Sequence, residues 1–285
     1  MPITTLLMGG IANQLFQYAA GRVLAKKYNS QLIVNTSFLH NKSDAITRRP
    51  YALDDFALKI DKVENVKPSD KDNIITEEKL SSPSSFLKSP PDSFLIGYWQ
   101  GCYYIEKIKD ELLETIKPAK PLSKKSQAHL VMIKQSPSVF LHIRRGDYVH
   151  SPMVKQFHGA LPIHYYEKAM KMLDMKIPDA IFFIFSDDID WVKNNLPIGS
   201  RRHIYIDQNQ GKDSWQDFIL MSHCRHAIIA NSSFSWLAAY LLSLRHVGAQ
   251  VVAPNEWFRK TAVNKKLWYP KDWHVLSTKF TLFIK

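Results

Sequence analysis

Residues 3–38 read ITTLLMGGIANQLFQYAAGRVLAKKYNSQLIVNTSF, and the order of patterns along this stretch sets the fold class. Ile3 to Met8 is a short apolar run of strand length. It is followed by Gly9-Gly10, where the lack of Cβ atoms permits a tight turn and a close approach of backbone to a ligand. Leu15, Ala19 and Val23 then recur at a spacing of four, flanked by Phe16, Tyr18, Ala20 and Leu24, which predicts a helix from about Leu15 to Tyr28. Gln31 to Phe38 returns to strand. Strand, glycine turn, helix and strand in that order open a parallel α/β unit.

The second half alternates in the same way, with strands predicted at Val139–Arg144, Ala180–Phe185, His203–Ile206, His226–Ala230 and Gln250–Ala253. Pro162 opens a helix reaching Leu173, carboxylates open another at Asp188–Asn195, and Asp213 caps a third that reaches Cys224. Five strands with helices between most of them predict a doubly wound parallel sheet. From about residue 40 to 91 the pattern weakens into a partly irregular insert, with loops at Ser69–Lys71, Ser81–Ser85 and Ser89–Pro91. A strand at Phe94–Trp99 and an amphipathic helix at Ile105–Ile116 precede the breaker run Lys117-Pro118-Ala119-Lys120-Pro121. The expected division is a domain over 1–135 and a second over 136–285 that ends in a basic aromatic tail from about 255.

Composition narrows the classes. Of 285 residues, 45% are hydrophobic and 22% charged, which supports a packed core and excludes a disordered chain. The net charge of +12 is spread over both halves and not gathered in a basic arm, so no nucleic-acid partner is expected. Cys102 and Cys224 lack CxxC spacing, which supports neither a disulfide framework nor a zinc site. The start has no basic n-region and its apolar run is broken at Gly9, Gly10, Asn13 and Gln14, so a cytoplasmic protein is expected. The uncharged stretch 227–244 is interrupted by Asn231, Ser232, Ser233, Ser235 and Ser243, and no membrane span is predicted. In the tail, Arg259, Lys260, Lys265, Lys266, Lys271 and Lys279 interleave with Trp257, Phe258, Trp268, Tyr269 and Trp273. Two readings stand: peripheral contact with anionic membrane, or a solvated charged tail whose aromatics pack on the domain.

Ligands of open parallel sheets bind beyond the carboxyl ends of the strands, and those positions are polar here. Arg144-Arg145-Gly146-Asp147-Tyr148 places two guanidiniums at a strand end, either a diphosphate clamp or a structural ion pair of Arg145 with Asp147. Ser186-Asp187-Asp188 offers a carboxylate for the N1 and N2 donors of guanine, or else simply begins a helix. Asn231-Ser232-Ser233 leads into an apolar helix, where backbone N–H groups suit an anion and the serines suit N-capping. Asn13 and Gln14 suit sugar hydroxyls, a diphosphate or a helix cap.

Five segments in order, GGIANQLFQYAAGRVLAKKY at 9–28, GYWQGCYY at 97–104, HIRRGDYV at 142–149, FFIFSDD at 182–188 and NSSFSWLAAY at 231–240, resemble the bacterial α-1,2-fucosyltransferases. The late NEWF and YPKDW segments extend the resemblance over nearly the whole chain. Where the family shows Gly-Gly-Leu-Gly-Asn-Gln, this chain has Ile11 and Ala12 in the middle, and alanine does not readily take the positive φ that a glycine at position 12 allows. The resemblance implies a GT-B arrangement, two Rossmann-like domains with parallel sheets facing a cleft. It also implies a donor, GDP-β-L-fucose, held mainly by the second half, no cofactor or metal ion, and inverting transfer of L-fucose to the 2-hydroxyl of a galactose-terminated acceptor. By the same resemblance Arg144 meets the β-phosphate, His142, Arg145 and Asp147 support or contact the donor, and Asp187 or Asp188 reads guanine. Ser232 and Ser233 touch phosphate, and Asn13 and Gln14 contact fucose or diphosphate. Asp147 and His158 are the candidate general bases, against a dissociative step in which the departing phosphate takes the proton.

Overall fold

The computed structural model describes residues 2–40, 49–65, 68, 73–80, 82, 84–259 and 268–279. The chain divides into two compact units, Met1–Pro121 and Leu122–Lys285. The expected loop at Ser69–Lys71 falls outside the described residues, as do Ser81 and Pro83, and Lys260, Lys265 and Lys266 of the tail.

In the first unit, β1 (Ile3–Leu6) leads through the glycine turn into α1 (Ile11–Tyr28) and back to β2 (Leu32–Asn35). Then follow β3 (Lys62–Glu64), β4 (Asn73–Thr76), β5 (Ser93–Ile96), α2 (Cys102–Glu106) and α3 (Lys109–Thr115). The five strands pair in the order β3-β2-β1-β5-β4, every pair parallel. Two ordered edge strands, β3 and β4, thus lie in the stretch read as irregular, because Lys62–Glu64 and Asn73–Thr76 have too few residues and too much exposure to show a pattern. The helix expected at Ile105–Ile116 is split into α2 and α3. Gly9 takes a φ of +72°, whereas Ala12 sits inside the first turn of α1. The left-handed residue of the turn therefore precedes the Ile11-Ala12 departure, and alanine there suits the helix.

The second unit opens with α4 (Lys124–Gln135), which packs against a later helix of this unit, so the division falls at Pro121 and not after residue 135. Next come β6 (Ser138–Ile143), α5 (Gly146–His150), α6 (Pro152–Phe157), α7 (Ile163–Lys176), β7 (Ile181–Ser186), α8 (Ile189–Asn195) and β8 (His203–Ile206). The unit continues with α9 (Ser214–His223), β9 (His226–Ile228), α10 (Ser233–Arg245), β10 (Val251–Pro254) and β11 (His274–Leu276). Six parallel strands run β11-β10-β9-β6-β7-β8. Each half of the expected GT-B pair is therefore present as its own parallel sheet. The sixth strand, β11, was hidden in the tail because three half-buried residues, His274–Leu276, carry no alternation.

Both faces of this sheet are covered, which is why its central strands read as unbroken apolar runs. All six residues of β6 are buried. Val139, Leu141 and Ile143 pack on one face with Tyr165, Met170 and Leu173 of α7 and with Phe182 and Ile184 of β7. Phe140 meets Phe185 edge to face on the other. The tail aromatics take the second of their two readings: Trp257, Tyr269 and Trp273 are buried, the Tyr269 hydroxyl donates to Pro254 O at 2.8 Å and Trp273 Nε1 to Ser243 Oγ at 3.2 Å.

The central strand should dominate stability. Leu141→Ala is expected to cost about 2–5 kcal/mol, the usual range for a buried leucine truncated in a close-packed core. Val131→Ala, on an exposed face of α4, should stay within about 0.5 kcal/mol; paired urea midpoints check both.

Candidate functional site

In the second sheet the strand order reverses direction between β6 and β9, and that is where an open parallel sheet leaves a crevice beyond its carboxyl ends. The residues leaving β6 are Arg144 to Asp147, and those leaving β9 run to Asn231 and Ser232. Sheet topology alone thus brings two of the predicted polar clusters to one place. The third, Asp187-Asp188, leaves β7, the neighbour of β6 on the other side.

The arginines and carboxylates interlock. Arg144 donates from Nη2 to Asp147 Oδ1 at 2.7 Å and pairs through Nη1 with Asp187 Oδ2 at 2.9 Å. Arg145 pairs through Nε with Asp188 Oδ2 at 3.1 Å, lays its guanidinium 3.4 Å from the Trp191 ring centroid, and donates its backbone N–H to Asp187 Oδ1 at 2.8 Å. The ion pair expected between Arg145 and Asp147 is replaced by this crossed arrangement, because α5 starts at Gly146 and carries Asp147 back to the side of Arg144. Burial of Arg144 works against its charge, and Asp187 and Asp147 outweigh it, raising the guanidinium pKa. Asp188 also caps α8, accepting from Trp191 N at 3.4 Å, so its two sequence readings coexist in part. A Cβ at Gly146 would meet Asp187 Oδ2, so a larger residue there would push that carboxylate away from its two arginines.

Behind the arginines, His142 is only 4% exposed, its Nδ1 has no partner among the described residues, and its ring lies 5.8 Å from that of Phe234. Burial first, and then Arg144, pull this imidazole down to about 3, so it is neutral at pH 7. His158 stacks on Tyr148 at 4.9 Å with the rings 10° apart, and burial holds its pKa below the usual range despite Asp147 nearby. Asp147 and His158, the two candidate bases, therefore stand in one neighbourhood with Arg144. Asn231 ties it together: its amide donates toward the carbonyls of His158, Gly159 and Trp257 at 3.1–3.4 Å, and its backbone carbonyl accepts from the Tyr148 hydroxyl at 3.0 Å. Ser232 is the N-cap residue of α10, where its side chain makes no capping bond, and Ser233 begins the helix. The free N–H groups of that first turn, with their positive dipole end, suit an anion.

Asp217 was not anticipated. It lies in the first turn of α9 and accepts from Asn209 Nδ2 at 2.7 Å, while its neighbour Phe218 packs on Phe234. Burial pushes its carboxyl up to about 8. Its only sequence signal was a carboxylate inside an otherwise apolar helix, which reads as a dipole partner.

Asn13 and Gln14 belong to the first unit. Gln14 is fully buried and its carboxamide is spent on structure, donating to Gly9 O at 3.0 Å and Pro50 O at 2.8 Å and accepting from Ala52 N at 3.0 Å. Asn13 accepts from Gln100 Nε2 at 2.8 Å and remains partly exposed. Gln17, unremarked in the sequence, bridges the ends of β1 and β5 through Met8 N and Gly97 O. Among the described residues no group of three or more histidine, cysteine or carboxylate side chains is placed to hold a metal ion.

Comparison with known proteins adds a family. The family described as Glycosyl transferase family 11 matches residues 3–277. An α-1,2-colitosyltransferase of Escherichia coli is 32% identical, covering 95% of this chain and 97% of its own. The O-antigen biosynthesis glycosyltransferase WbnK of Escherichia coli is 28% identical over 88% of this chain and 93% of its own. A galactoside α-(1,2)-fucosyltransferase 2 of Rattus norvegicus is 26% identical over 82% of this chain and 65% of its own.

A neutral His142 makes stability depend on pH with a definite sign. The unfolded chain takes up a proton near the ordinary pKa of about 6.5, and the folded chain refuses it until about 3. The contribution of His142 to stability is therefore level above about pH 6.5 and falls below it, by about 1.4 kcal/mol per pH unit. Urea midpoints compared at descending pH should differ in slope between the parent chain and His142→Asn by one proton, the parent falling more steeply.

Proposed function

The chain belongs to glycosyl transferase family 11, and from that premise we propose that it transfers L-fucose from GDP-β-L-fucose to the 2-hydroxyl of a terminal galactose, with inversion. The observation that carries this reading is the Arg144–Arg145 pair at the switch point of the second sheet, leaving the strand next to β9, whose end leads into α10. A nucleoside diphosphate leaves with growing negative charge on its β-phosphate. Guanidiniums and backbone N–H groups already fixed in place stabilise that charge without reorganising at the moment of reaction.

Arg144 is fixed in this way by Asp147 and Asp187, which hold it from two directions. In this reading it meets the β-phosphate, Arg145 assists, and Ser232 and Ser233 present N–H and hydroxyl groups to phosphate oxygens. Charge neutralisation by arginine leaves no step that calls for a metal, so activity in EDTA is expected. Asp147 or His158 accepts the proton of the acceptor hydroxyl. His158, neutral at pH 7 through burial, has a free base form for this role.

Guanine calls for a carboxylate to accept from its N1 and N2 groups. Asp187 and Asp188 already accept from arginine, whereas Asp217 accepts from an uncharged amide. Phe218 beside it packs on Phe234, whose ring in turn lies by His142, so Asp217 joins those two residues as a proposed reader of the base. A second reading, colitosyl transfer from the corresponding GDP sugar, is favoured by the α-1,2-colitosyltransferase relative; the α-1,2 linkage is common to both.

The test is calorimetric titration with GDP and UDP in EDTA, followed by incubation of GDP-fucose or GDP-colitose with a galactoside and NMR of the product linkage. Micromolar GDP binding and an α-1,2-fucosyl product are expected; GDP-colitose consumed in preference would select the second reading. Arg144→Ala should lower kcat by at least about two orders of magnitude, the scale of removing one donor to transition-state charge. Asp217→Asn should weaken GDP binding about tenfold or more with little effect on UDP, the scale of a charged hydrogen bond.

A further inference from the structure

The edge of the second sheet opposite to the candidate site, where the strands begin and α4, α7, α9 and α10 end, gathers cations. Lys134 closes α4, Lys176 closes α7, Arg245 closes α10, and Arg225 precedes β9. The histidines His223, His226 and His246 stand among them. Each is held below the ordinary imidazole pKa first by burial and then by neighbouring groups that include Lys134, Arg225 and Arg245.

The hydrogen bonds of these cations go to neutral acceptors. Arg245 donates to Ser222 O at 3.0 Å, Arg225 to Lys134 O at 3.5 Å, and Lys176 to Gln250 Oε1 at 2.7 Å. Among the described residues none of the four cations forms a salt bridge. Of the nearby carboxylates, Asp174 is taken by Arg201 and Asp272 lies by His274, while Asp179, exposed in the turn before β7, pairs with none of the four cations among the described residues.

Helix carboxyl ends attract one cation each by their dipoles, which accounts for Lys134, Lys176 and Arg245 singly. It does not account for what protrudes between them. Met175, next to Lys176, is 80% exposed, and Val247, in the turn from His246 to Gln250, is fully exposed. The Lys176–Gln250 contact ties the two protrusions to the same edge. Cations without counter-charge, flanking apolar tips, are complementary to a layer that is anionic at its surface and apolar beneath. Valine and methionine gain by entering such a layer and offer no flat face on which a base would stack.

We propose that this edge docks the protein on an anionic phospholipid bilayer, with the exposed Lys134, Lys176 and Arg225 over the head groups and Met175 and Val247 in the interface. The tail aromatics Trp257, Tyr269 and Trp273, which could have served the same purpose, are consumed by the core. The docking does not depend on the transferase reading, because it lies at the other end of the strands and is measured without turnover.

The experiment is co-sedimentation of the full chain with vesicles of phosphatidylcholine alone or with about one-third phosphatidylglycerol, at about 0.1 M and about 0.5 M salt. Binding is expected only to the anionic vesicles and only at the lower salt. The exposed pair Lys134→Glu with Arg225→Glu should weaken it at least tenfold, at about fivefold or more per cation lost. Val247→Asp should weaken it several-fold, and thermal midpoints should not move. Equal binding to neutral vesicles, or wild-type binding by the charge-reversed variant, would overturn the proposal. So would tighter binding of an RNA oligonucleotide through the same residues.

Discussion

A parallel strand covered on both faces leaves little room for charged side chains, so the charged groups it positions must begin where the strand stops. β6 imposes this constraint on the second unit. Its six residues are buried, it pairs in register with β7 over its full length, and it pairs with β9 on the other side. The polar residues then appear together, from Arg144 onward, at the end where the sheet order reverses. The arrangement is the general property of doubly wound sheets that ligands lie at the switch point. Here it is enforced by burial of β6 and by the ladder bonds that align Ile143 with Ser186.

The cluster that emerges is held by charge balance. Two arginines face three carboxylates, each of them only partly exposed, and one carboxylate, Asp187, touches both arginines. Removing a single partner from such a set leaves an uncompensated, partly desolvated charge, so its members act as a unit. The glycine between them is part of the same balance, because the bare backbone of Gly146 gives Asp187 its approach. Asn231 and Tyr148 extend the unit to the start of α10. They join by side-chain bonds what the ladder joins by backbone, and they fix the His158 ring through its stack on Tyr148.

The two edges of the same sheet differ in how they meet charge. At the carboxyl edge, cations are paired with carboxylates and held in place by them. At the opposite edge, among the described residues, cations bond to neutral acceptors and stand beside exposed apolar side chains. The contrast separates a cluster whose charges are matched within the protein from one whose charges are not.

Much of this was legible in the sequence. The alternation of apolar runs with amphipathic helices and the glycine turn at Gly9-Gly10 determined an α/β fold with parallel sheets, since each signal is local and comes from side chains with one preferred environment. The strand ends marked Arg144, Arg145, Asp147, Asp187, Asp188, Ser232 and Ser233 for the same reason. Short or exposed elements were not legible: β3, β4 and β11 have three or four residues and little burial, so their pairing comes from the neighbouring strand and not from their own pattern. Nor could sequence choose among partners. That Arg144 takes Asp147 and Asp187 while Arg145 takes Asp188, that Gln14 is spent on tying its turn to the Pro50–Ala52 segment, and that Asp217 is a buried carboxyl were decided by tertiary structure. Charge pairing and burial are properties of distance in space, and only the packed sheet sets those distances.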